Sequence, residues 1–215
     1  MSNSNNRYFL TFIDDFTHKI WVNFLQRKLE EFDYFKKFKL HVERQSGYPI
    51  KMLRIDDGGE YTSNEFRAYC EEQGTHHEVT FPDTPLRNGV AERKNKTILD
   101  MVRSMLKTKS MLNSFWGKVV SCFVYILNWS PTKDVPNRTL AEAWGGFKPS
   151  VKHLNVFGTV ASSHIPTKTR TKLDDQAEKT IFIGYKRGGY KLFNPVSKKV
   201  IVSRDVTFAK ETAWN

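Results

Sequence analysis

Short runs of apolar residues alternate along the chain with longer stretches in which apolar positions recur every three or four residues. Aromatic and β-branched residues crowd Tyr8–Ile13 and Ile20–Leu25, and turn-forming residues separate the two runs, which predicts a β-hairpin. Apolar and charged residues interleave from about Glu30 to Gln45, which predicts a helix that ends before Gly47.

The segments that follow alternate between the strand and helix periodicities. Ile50–Ile55 is predicted as a strand, Ser63 as the N-cap of a helix that ends before Gly74, and Thr75–Thr80 as another strand. This alternation after an opening hairpin favours a mixed sheet flanked by helices. Phe81–Gly89 contains two prolines and an Asn-Gly pair, which predict a loop.

Three further helices are predicted before the composition changes. The first starts at Val90 and carries a buried face at helical spacing: Ile98, Met101, Val102, Met105 and Leu106. Phe115–Asn128 is rich in aromatic and aliphatic residues and is predicted as a core helix, and Thr139–Trp144 as a short one.

Beyond Gly145–Pro149 the pattern changes to short strands with turn residues between them. The predicted strands are Val156–Ser162, Thr180–Tyr185, Tyr190–Asn194 and Val200–Phe208. Strands of this length and spacing predict a small antiparallel barrel or sheet, and the polar tract Ile165–Lys179 is predicted as a surface loop. The predicted organisation is therefore α/β: a disordered N-terminus (1–6), a core built on a mixed sheet (7–145) and a small basic β domain (146–215).

Charge narrows the class of partner. The 215 residues include 34 Lys and Arg against 23 Asp and Glu, a formal charge of +11, so nucleic acid is the expected partner. Residues 1–6 lack the apolar core of a signal peptide, and no apolar run reaches the roughly eighteen residues that a membrane span requires, so no membrane partner is expected. Cys70 and Cys122 are isolated in sequence, which argues against a zinc motif or a disulfide framework and favours an intracellular setting.

Two carboxylates stand out by position. Asp56 follows a predicted strand and precedes Gly58-Gly59, and Glu92 lies in the first turn of the helix that Gly89 opens. One acid at a strand end and one on a helix could share a divalent metal pair, the usual apparatus for displacement at phosphorus. Each also has a simpler interpretation, Asp56 as a turn residue and Glu92 as a charge that the helix dipole favours.

Basic residues accompany the second acid. Each helical residue advances by about 100°, so Lys96 and Arg103 fall within about 40° of Glu92 on the helix surface. Cations beside a catalytic acid can hold phosphates, although a solvated helix face is the simpler interpretation. His76 and His77 point to opposite faces of a strand, so at most one of them could join a given metal site.

A series of motifs in order along nearly the whole chain resembles the integrase of copia-type retrotransposons. The matching segments are Tyr8–Asp15, Leu53–Tyr61, Pro85–Asn95, Leu127–Thr132, Val156–Gly158 and Ser203–Val206. The resemblance implies a ribonuclease H-like core followed by a small barrel-like domain. It also implies insertion of element DNA into target DNA by two-metal strand transfer with Mg²⁺ or Mn²⁺.

Carried over to this chain, the resemblance assigns Asp56 and Glu92 as the second and third catalytic acids and as metal ligands. The resemblance places the family's first acid upstream of the segment that contains Asp14, and we expect this chain to start too late to include it. We therefore expect an N-terminally truncated integrase fragment that lacks the first strand and one metal ligand, with weak metal binding as the consequence. Asp14 is the candidate that could replace the first acid.

The active-site loop also departs from the family pattern, which leaves its DNA contacts open. The departures are at Ile55, Asp57, Asp83, Leu86, Arg87 and Trp129. The candidate nucleic-acid contacts are Arg87, Asn88, Arg93, Lys94, Lys96 and Arg103. The resemblance also implies an amino-terminal zinc module in a full integrase, which we do not expect in this sequence.

The leading hypothesis is an integrase core fragment that binds element ends and target DNA but transfers strands poorly. A second hypothesis is a non-enzymatic nucleic-acid-binding protein derived from a transposon, and a third is a nuclease of the ribonuclease H type. The resemblance implies a nuclear location for a functional protein, and homo-oligomers are an open alternative to a monomer.

Overall fold

A computed structural model describes residues 5–56, 63–80, 85–165, 170 and 175–213; for residues 56, 80, 85–88 and 210–213 it describes the backbone alone. The chain divides into two compact units. The N-terminal unit contains Asn5–Thr11 and Asn23–Thr97, and the C-terminal unit contains Phe12–Val22 and the described part of Ile98–Asn215. Among the described residues, no helix is both long enough and apolar enough to cross a membrane.

The chain opens with the predicted hairpin, formed by β1 (Tyr8–Ile13) and β2 (Ile20–Leu25). Backbone hydrogen bonds of 2.9 Å from Arg7 to Leu25 and 3.0 Å from Asp14 to Lys19 bracket the two strands and make them antiparallel. This confirms the hairpin that the aromatic and β-branched runs predict.

Two helices and two parallel strands build most of the N-terminal unit. They are α1 (Glu31–Ser46), β3 (Met52–Asp56), α2 (Asn64–Glu72) and β4 (His76–Thr80). Gly47 ends α1 with φ of 77°, and the Ser63 hydroxyl caps α2 by accepting from the backbone N–H of Phe66 at 3.2 Å, as predicted. Phe35 and Phe66 are fully buried with ring centroids 5.5 Å apart, which places the core of this unit between the two helices.

The strands of this region do not form the single mixed sheet that their alternation with helices predicts. In the described residues β1 pairs with β2 and β3 pairs in parallel with β4, as two separate two-stranded sheets. Periodicity identifies a strand because it reports which face is buried, but it carries no information about which strand supplies the next hydrogen-bonded neighbour.

The long helix α3 runs from Pro85 to Thr108 and corrects the predicted loop. Its first residues occupy positions 85–89, and positions 81–84 lie outside the described residues. Proline has the backbone φ of a helix and lacks only an N–H that the first turn leaves unused, so it starts a helix here rather than preventing one. The predicted apolar face is buried at Ile98, Val102 and Leu106, whereas Met101 is 40% exposed.

The helical part of the C-terminal unit contains α4 (Trp116–Trp129) and α5 (Leu140–Gly145), close to the predicted bounds. Between them β5 (Pro131–Thr132) and β6 (Val135–Thr139) pair as a small antiparallel hairpin. The hairpin was not predicted, because two prolines and a two-residue strand leave no alternating pattern in the sequence.

Five antiparallel strands complete the C-terminal unit. They are β7 (Thr159–His164), β8 (Ala177–Lys186), β9 (Gly189–Asn194), β10 (Lys199–Ser203) and β11 (Val206–Ala213), in the spatial order β10-β9-β8-β7-β11. The predicted small antiparallel sheet is confirmed. The single strand predicted over Val200–Phe208 is wrong, because the chain leaves the sheet at Arg204-Asp205 and re-enters it on the opposite edge.

Helix α4 packs against this sheet through aromatic side chains. The rings of Tyr125 and Tyr185 stack with centroids 4.3 Å apart, and Phe115, just before α4, meets Phe193 edge-on at 5.0 Å. The C-terminal compact unit therefore contains α4 and α5 together with the sheet. The domain boundary at residues 145 and 146 stays a prediction, and so does disorder of residues 1–6, of which 1–4 lie outside the described residues.

Candidate functional site

Asp56 is the last residue of β3, in the place that the strand pattern predicts. β3 runs parallel to β4 with Asp56 opposite Thr80, so Asp56 lies at the C-terminal end of a parallel pair. The side chain of Asp56 and the Gly58-Gly59 turn lie outside the described residues. The predicted pairing of this carboxylate with Glu92 therefore stays a prediction.

Glu92 lies in the same compact unit as Asp56, on an exposed face of α3. The helix begins at Pro85, so Glu92 lies two turns inside it. The sequence predicts Glu92 in the first turn, and that prediction is wrong. The helix dipole stabilises a carboxylate only within about the first turn, so the simpler interpretation of Glu92 loses its physical basis. Among the described residues Glu92 has no ion-pair partner, and its carboxylate faces solvent.

A hydrogen bond that sequence reasoning missed positions this part of α3. The Thr11 hydroxyl of β1 donates to the Asn95 side-chain oxygen at 2.8 Å, less than one turn from Glu92. This contact joins two residues that are 84 positions apart in the chain. Asn95 belongs to the motif segment Pro85–Asn95, which is the only signal in the sequence that marks it.

The predicted cations of α3 have different environments. Lys96 and Arg93 are exposed, and the Arg93 guanidinium folds back so that its Nη1 lies 2.7 Å from where a Cβ on Gly89 would stand. Arg103 instead forms an exposed ion pair with Asp100 at 2.9 Å. Lys94 is half-buried, and the side chains of Arg87 and Asn88 lie outside the described residues.

A Cβ at Gly89 would meet the far end of the exposed Arg93 side chain, which can move aside at small cost. The ion pair with Asp100 on the same helix partly neutralises Arg103. Lys96 and Arg93 are therefore the stronger candidates for phosphate contact. An exposed ion pair of this kind contributes little to stability and is screened by salt.

A divalent metal was the cofactor that the resemblance implied. Within the described residues, no three His, Cys, Asp or Glu side chains are grouped closely enough to hold a metal ion. The donor set thus comprises one described carboxylate, Glu92, and one whose side chain is not described, Asp56. Hard oxygen donors of this type suit Mg²⁺ or Mn²⁺ in chemistry, but two of them supply only part of an octahedral shell.

Asp14, the candidate replacement for the first acid, has a structural task. Its Oδ2 accepts hydrogen bonds from the Thr17 backbone N–H at 2.7 Å and from the Thr17 hydroxyl at 2.6 Å, which closes the turn between β1 and β2. A carboxylate that already holds two donors of its own turn is a poor candidate for a metal ligand.

The adjacent histidines separate as the strand alternation predicts. His76 is exposed, whereas His77 is half-buried with its ring edge-on to Phe66 at 5.1 Å between centroids. Burial lowers the pKa of His77, and the nearby charges of Arg67 and His76 lower it further. This environment favours a neutral imidazole packed on the aromatic core.

The chain is similar to the Pol polyproteins of plant transposons. It is 48% identical over 209 residues to the retrovirus-related Pol polyprotein from transposon TNT 1-94 of Nicotiana tabacum, and the match covers 96% of this chain. It is 30% identical over 210 residues to the corresponding polyprotein from transposon RE2 of Arabidopsis thaliana, covering 97% of the chain. The chain spans 16% of the length of the first relative and 14% of the second.

Two further comparisons concern the fold. Residues 159–215 match the model of the retroviral polymerase SH3-like domain, which agrees with the sheet of β7 to β11. A chain of the simian T-cell lymphotropic virus intasome, solved by cryo-electron microscopy in complex with PP2A regulatory subunit B56 gamma, is similar with a TM-score of 0.49. Its sequence is 15% identical, and the match covers 94% of this chain and 74% of that one.

The relatives confirm the family that the ordered motifs predict, and the SH3-like match accounts for the small β domain at the C-terminal end. The chain therefore belongs to the copia-type retrotransposon Pol polyproteins, as a segment with a C-terminal SH3-like domain.

Proposed function

We propose that this chain is the integrase region of a copia-type Pol polyprotein, with a ribonuclease H-like core that binds DNA and a strand-transfer site of low activity. The observation that carries the proposal is the position of Asp56 at the C-terminal end of a parallel strand pair, within the unit that also carries Glu92. In α/β folds, ligands bind at the carboxyl ends of parallel strands.

In this proposal Asp56 and Glu92 are the residues that hold Mg²⁺ or Mn²⁺. When bound, the ion supplies charge to stabilise the pentavalent phosphorus and to activate the attacking hydroxyl. Mg²⁺ requires a nearly ideal octahedron of oxygens at about 2.0–2.1 Å, so two carboxylates hold it weakly and strand transfer is slow. Lys96 and Arg93 contribute by holding DNA phosphates beside Glu92, since both side chains are exposed on the same stretch of α3.

The test combines metal binding with strand transfer. Mn²⁺ titrations followed by water-proton relaxation and assays that join labelled duplex ends to a plasmid are run on the wild type, D56N and E92Q. E72Q, an exposed acid on α2, serves as the charge-matched control. We expect weak Mn²⁺ binding that D56N and E92Q abolish and E72Q retains, together with slow joining that follows the same order.

Two results contradict the proposal. One is Mn²⁺ binding that D56N and E92Q leave unchanged. The other is rapid joining that depends on Asp14, which would move the first acid to the hairpin turn.

The alternative function is nucleic-acid binding without catalysis, and the net charge of +11 favours it. Its signature is salt-sensitive binding of duplex DNA that is unchanged in D56N and E92Q, with no joining by the wild type. Absence of binding at low salt would exclude it. In either function the partner is DNA, and a nuclear location and assembly into homo-oligomers belong to the integrase proposal.

A further inference from the structure

Residues 146–158, which we term the strap, join α5 to β7 within the C-terminal unit. In sequence the strap resembles a linker, because the composition changes at Gly145–Pro149 and the match to the SH3-like domain begins only at residue 159. Modules joined by a linker are expected to move relative to one another unless their contacts hold them together. The contacts of the strap therefore decide whether the sheet moves independently of α4.

The sheet holds the strap by its main chain. The Tyr185 hydroxyl of β8 accepts from the Asn155 backbone N–H at 2.9 Å and donates to the Asn155 carbonyl at 3.0 Å. On the next strand, the Tyr190 hydroxyl donates to the His153 carbonyl at 3.2 Å. The strap ends at Gly158, whose N–H donates to a carbonyl of β8 at 2.9 Å. Bonds to main-chain atoms fix the path of the strap and not only the orientation of its side chains.

Helix α4 holds the same part of the strap from its own side. The Tyr125 hydroxyl and His153 Nε2 share a hydrogen bond of 2.8 Å, and the His153 ring lies edge-on to Trp129 with centroids 4.7 Å apart. The Tyr125 ring stacks on both Trp129, at 5.2 Å, and Tyr185, at 4.3 Å between centroids. His153 and Asn155 thus receive contacts from one helix and two strands at once.

The hydroxyl groups that hold the strap are partly removed from water. Burial raises the pKa of Tyr125 to about 12, and burial also raises the pKa of Tyr185. His153 and Asn155 are half-buried. Water replaces a lost hydrogen-bond partner less well at a buried group than at an exposed one, so these bonds favour the closed arrangement.

We propose that Tyr125, Tyr185 and Tyr190 lock the strap and so hold the sheet and α4 as one rigid body, which does not bend at the α5–β7 connection. This lock is independent of the proposed function, since it involves neither the acids of the core nor a DNA partner. Its consequence is that any ligand of the sheet keeps a fixed position relative to α4. Loose packing of a module on a neighbouring helix does not require that its linker be bonded from both sides.

The experiment follows the full chain in solution by two measurements. Amide relaxation, measured by NMR, compares the rotational correlation time of residues in the sheet with that of residues in α4. Trypsin cleavage after Lys148 and Lys152, two exposed positions of the strap, is timed by mass spectrometry. Cleavage within a folded chain reports how often the segment opens.

The variants remove hydroxyl groups and keep the aromatic rings. Y125F/Y185F removes two hydroxyls of the lock, one on the helix and one on the sheet. Y8F/Y48F removes the same groups from two exposed tyrosines of the N-terminal unit and is the matched control. Y185F alone, whose hydroxyl bonds both main-chain groups of Asn155, decides the test if the double variant does not fold.

In the wild type we expect a single correlation time for the sheet and α4, together with slow cleavage of the strap. Y125F/Y185F should be cleaved about tenfold faster in the strap, Y185F should show a smaller increase, and Y8F/Y48F should keep the rate of the wild type. A shorter correlation time for the sheet than for α4 in the wild type overturns the proposal. Strap cleavage at the wild-type rate in the lock variants also overturns it, because the hydroxyls would then not hold the strap. Neither result bears on the proposed function, since both measurements are made without metal and without DNA.

Discussion

Loss of the Asn128 side chain is predicted to lower the stability of the folded chain. Its side-chain Oδ1 accepts from the Ile20 backbone N–H at 2.9 Å, and its Nδ2 donates to the Ile20 carbonyl at 2.7 Å. Asn128 is 8% exposed and Ile20 is 1% exposed, so water cannot replace these bonds. The pair ties α4 to β2 within the C-terminal unit, and an alanine would leave both backbone groups of Ile20 buried without the partner that Asn128 supplies.

A buried polar group left without its partner costs about 1–3 kcal/mol, so two of them predict a loss of about 3 kcal/mol in the free energy of unfolding of N128A. With a urea m-value of about 2 kcal/mol/M, the unfolding midpoint should fall by about 1.5 M. The described tryptophans, Trp21, Trp116, Trp129 and Trp144, fall within the C-terminal unit, so their fluorescence reports on that unit.

Two variants complete the design. N128D keeps the shape and one acceptor but loses the donor to the Ile20 carbonyl, so it should be at least as destabilised as N128A near neutral pH. N113A removes an exposed asparagine of the same unit and should change stability by less than about 0.5 kcal/mol. A midpoint for N128A within 0.5 M of the wild type, at an unchanged m-value, would refute the reasoning; in that case the two hydrogen bonds contribute little net energy.

Two further predictions concern the same unit. Burial lowers the pKa of Lys19 to about 8, against the opposing effect of Asp14, while its ammonium lies 4.9 Å from the Trp21 ring and 5.0 Å from the Trp144 ring. Between pH 8 and 10.5 the unfolded chain therefore keeps a proton on Lys19 that the folded chain has lost. The free energy of unfolding, followed by the urea midpoint, should rise with pH across that window in the wild type relative to K19Q. Parallel pH profiles of the two proteins contradict this prediction. G189A should lower the free energy of unfolding by about 1–3 kcal/mol, because its Cβ would stand 2.9 Å from the Ser203 carbonyl oxygen. The control G145A meets only the exposed Phe147 ring and should keep the Tm of the wild type. Equal Tm values for both variants would show that the backbone of β10 moves aside.

Interactions close in sequence account for the elements that could be predicted. The Ser63 cap, the Gly47 end of α1 and the β1–β2 hairpin each depend on residues within a few positions of one another. The misplaced start of α3 has a local cause as well, because proline is compatible with both a loop and a first helical turn. Whether residues 85–89 form a loop or a first helical turn depends on the contacts of the rest of α3, and these five residues carry no information about those contacts.

The candidate site, too, was predicted from the sequence only in part. Strand and helix periodicity placed Asp56 at a strand end and Glu92 on a solvent-facing helix, and ordered motifs identified the family. Sequence reasoning missed Asn95 and its bond to Thr11, and it treated Arg103 as a free cation although Asp100 pairs with it one turn earlier. An i,i+3 ion pair is visible in sequence once it is sought, whereas a hydrogen bond across 84 positions is not.

What the sequence determined by itself is therefore the family, the basic charge and most helices and strands. These follow from residue chemistry and from periodicities that repeat every two to four residues. Only the tertiary structure decided that β1–β2 and β3–β4 are separate sheets and that Asn128 holds Ile20. Each of these depends on which distant segments bury their apolar faces together, and that choice is made by the whole chain.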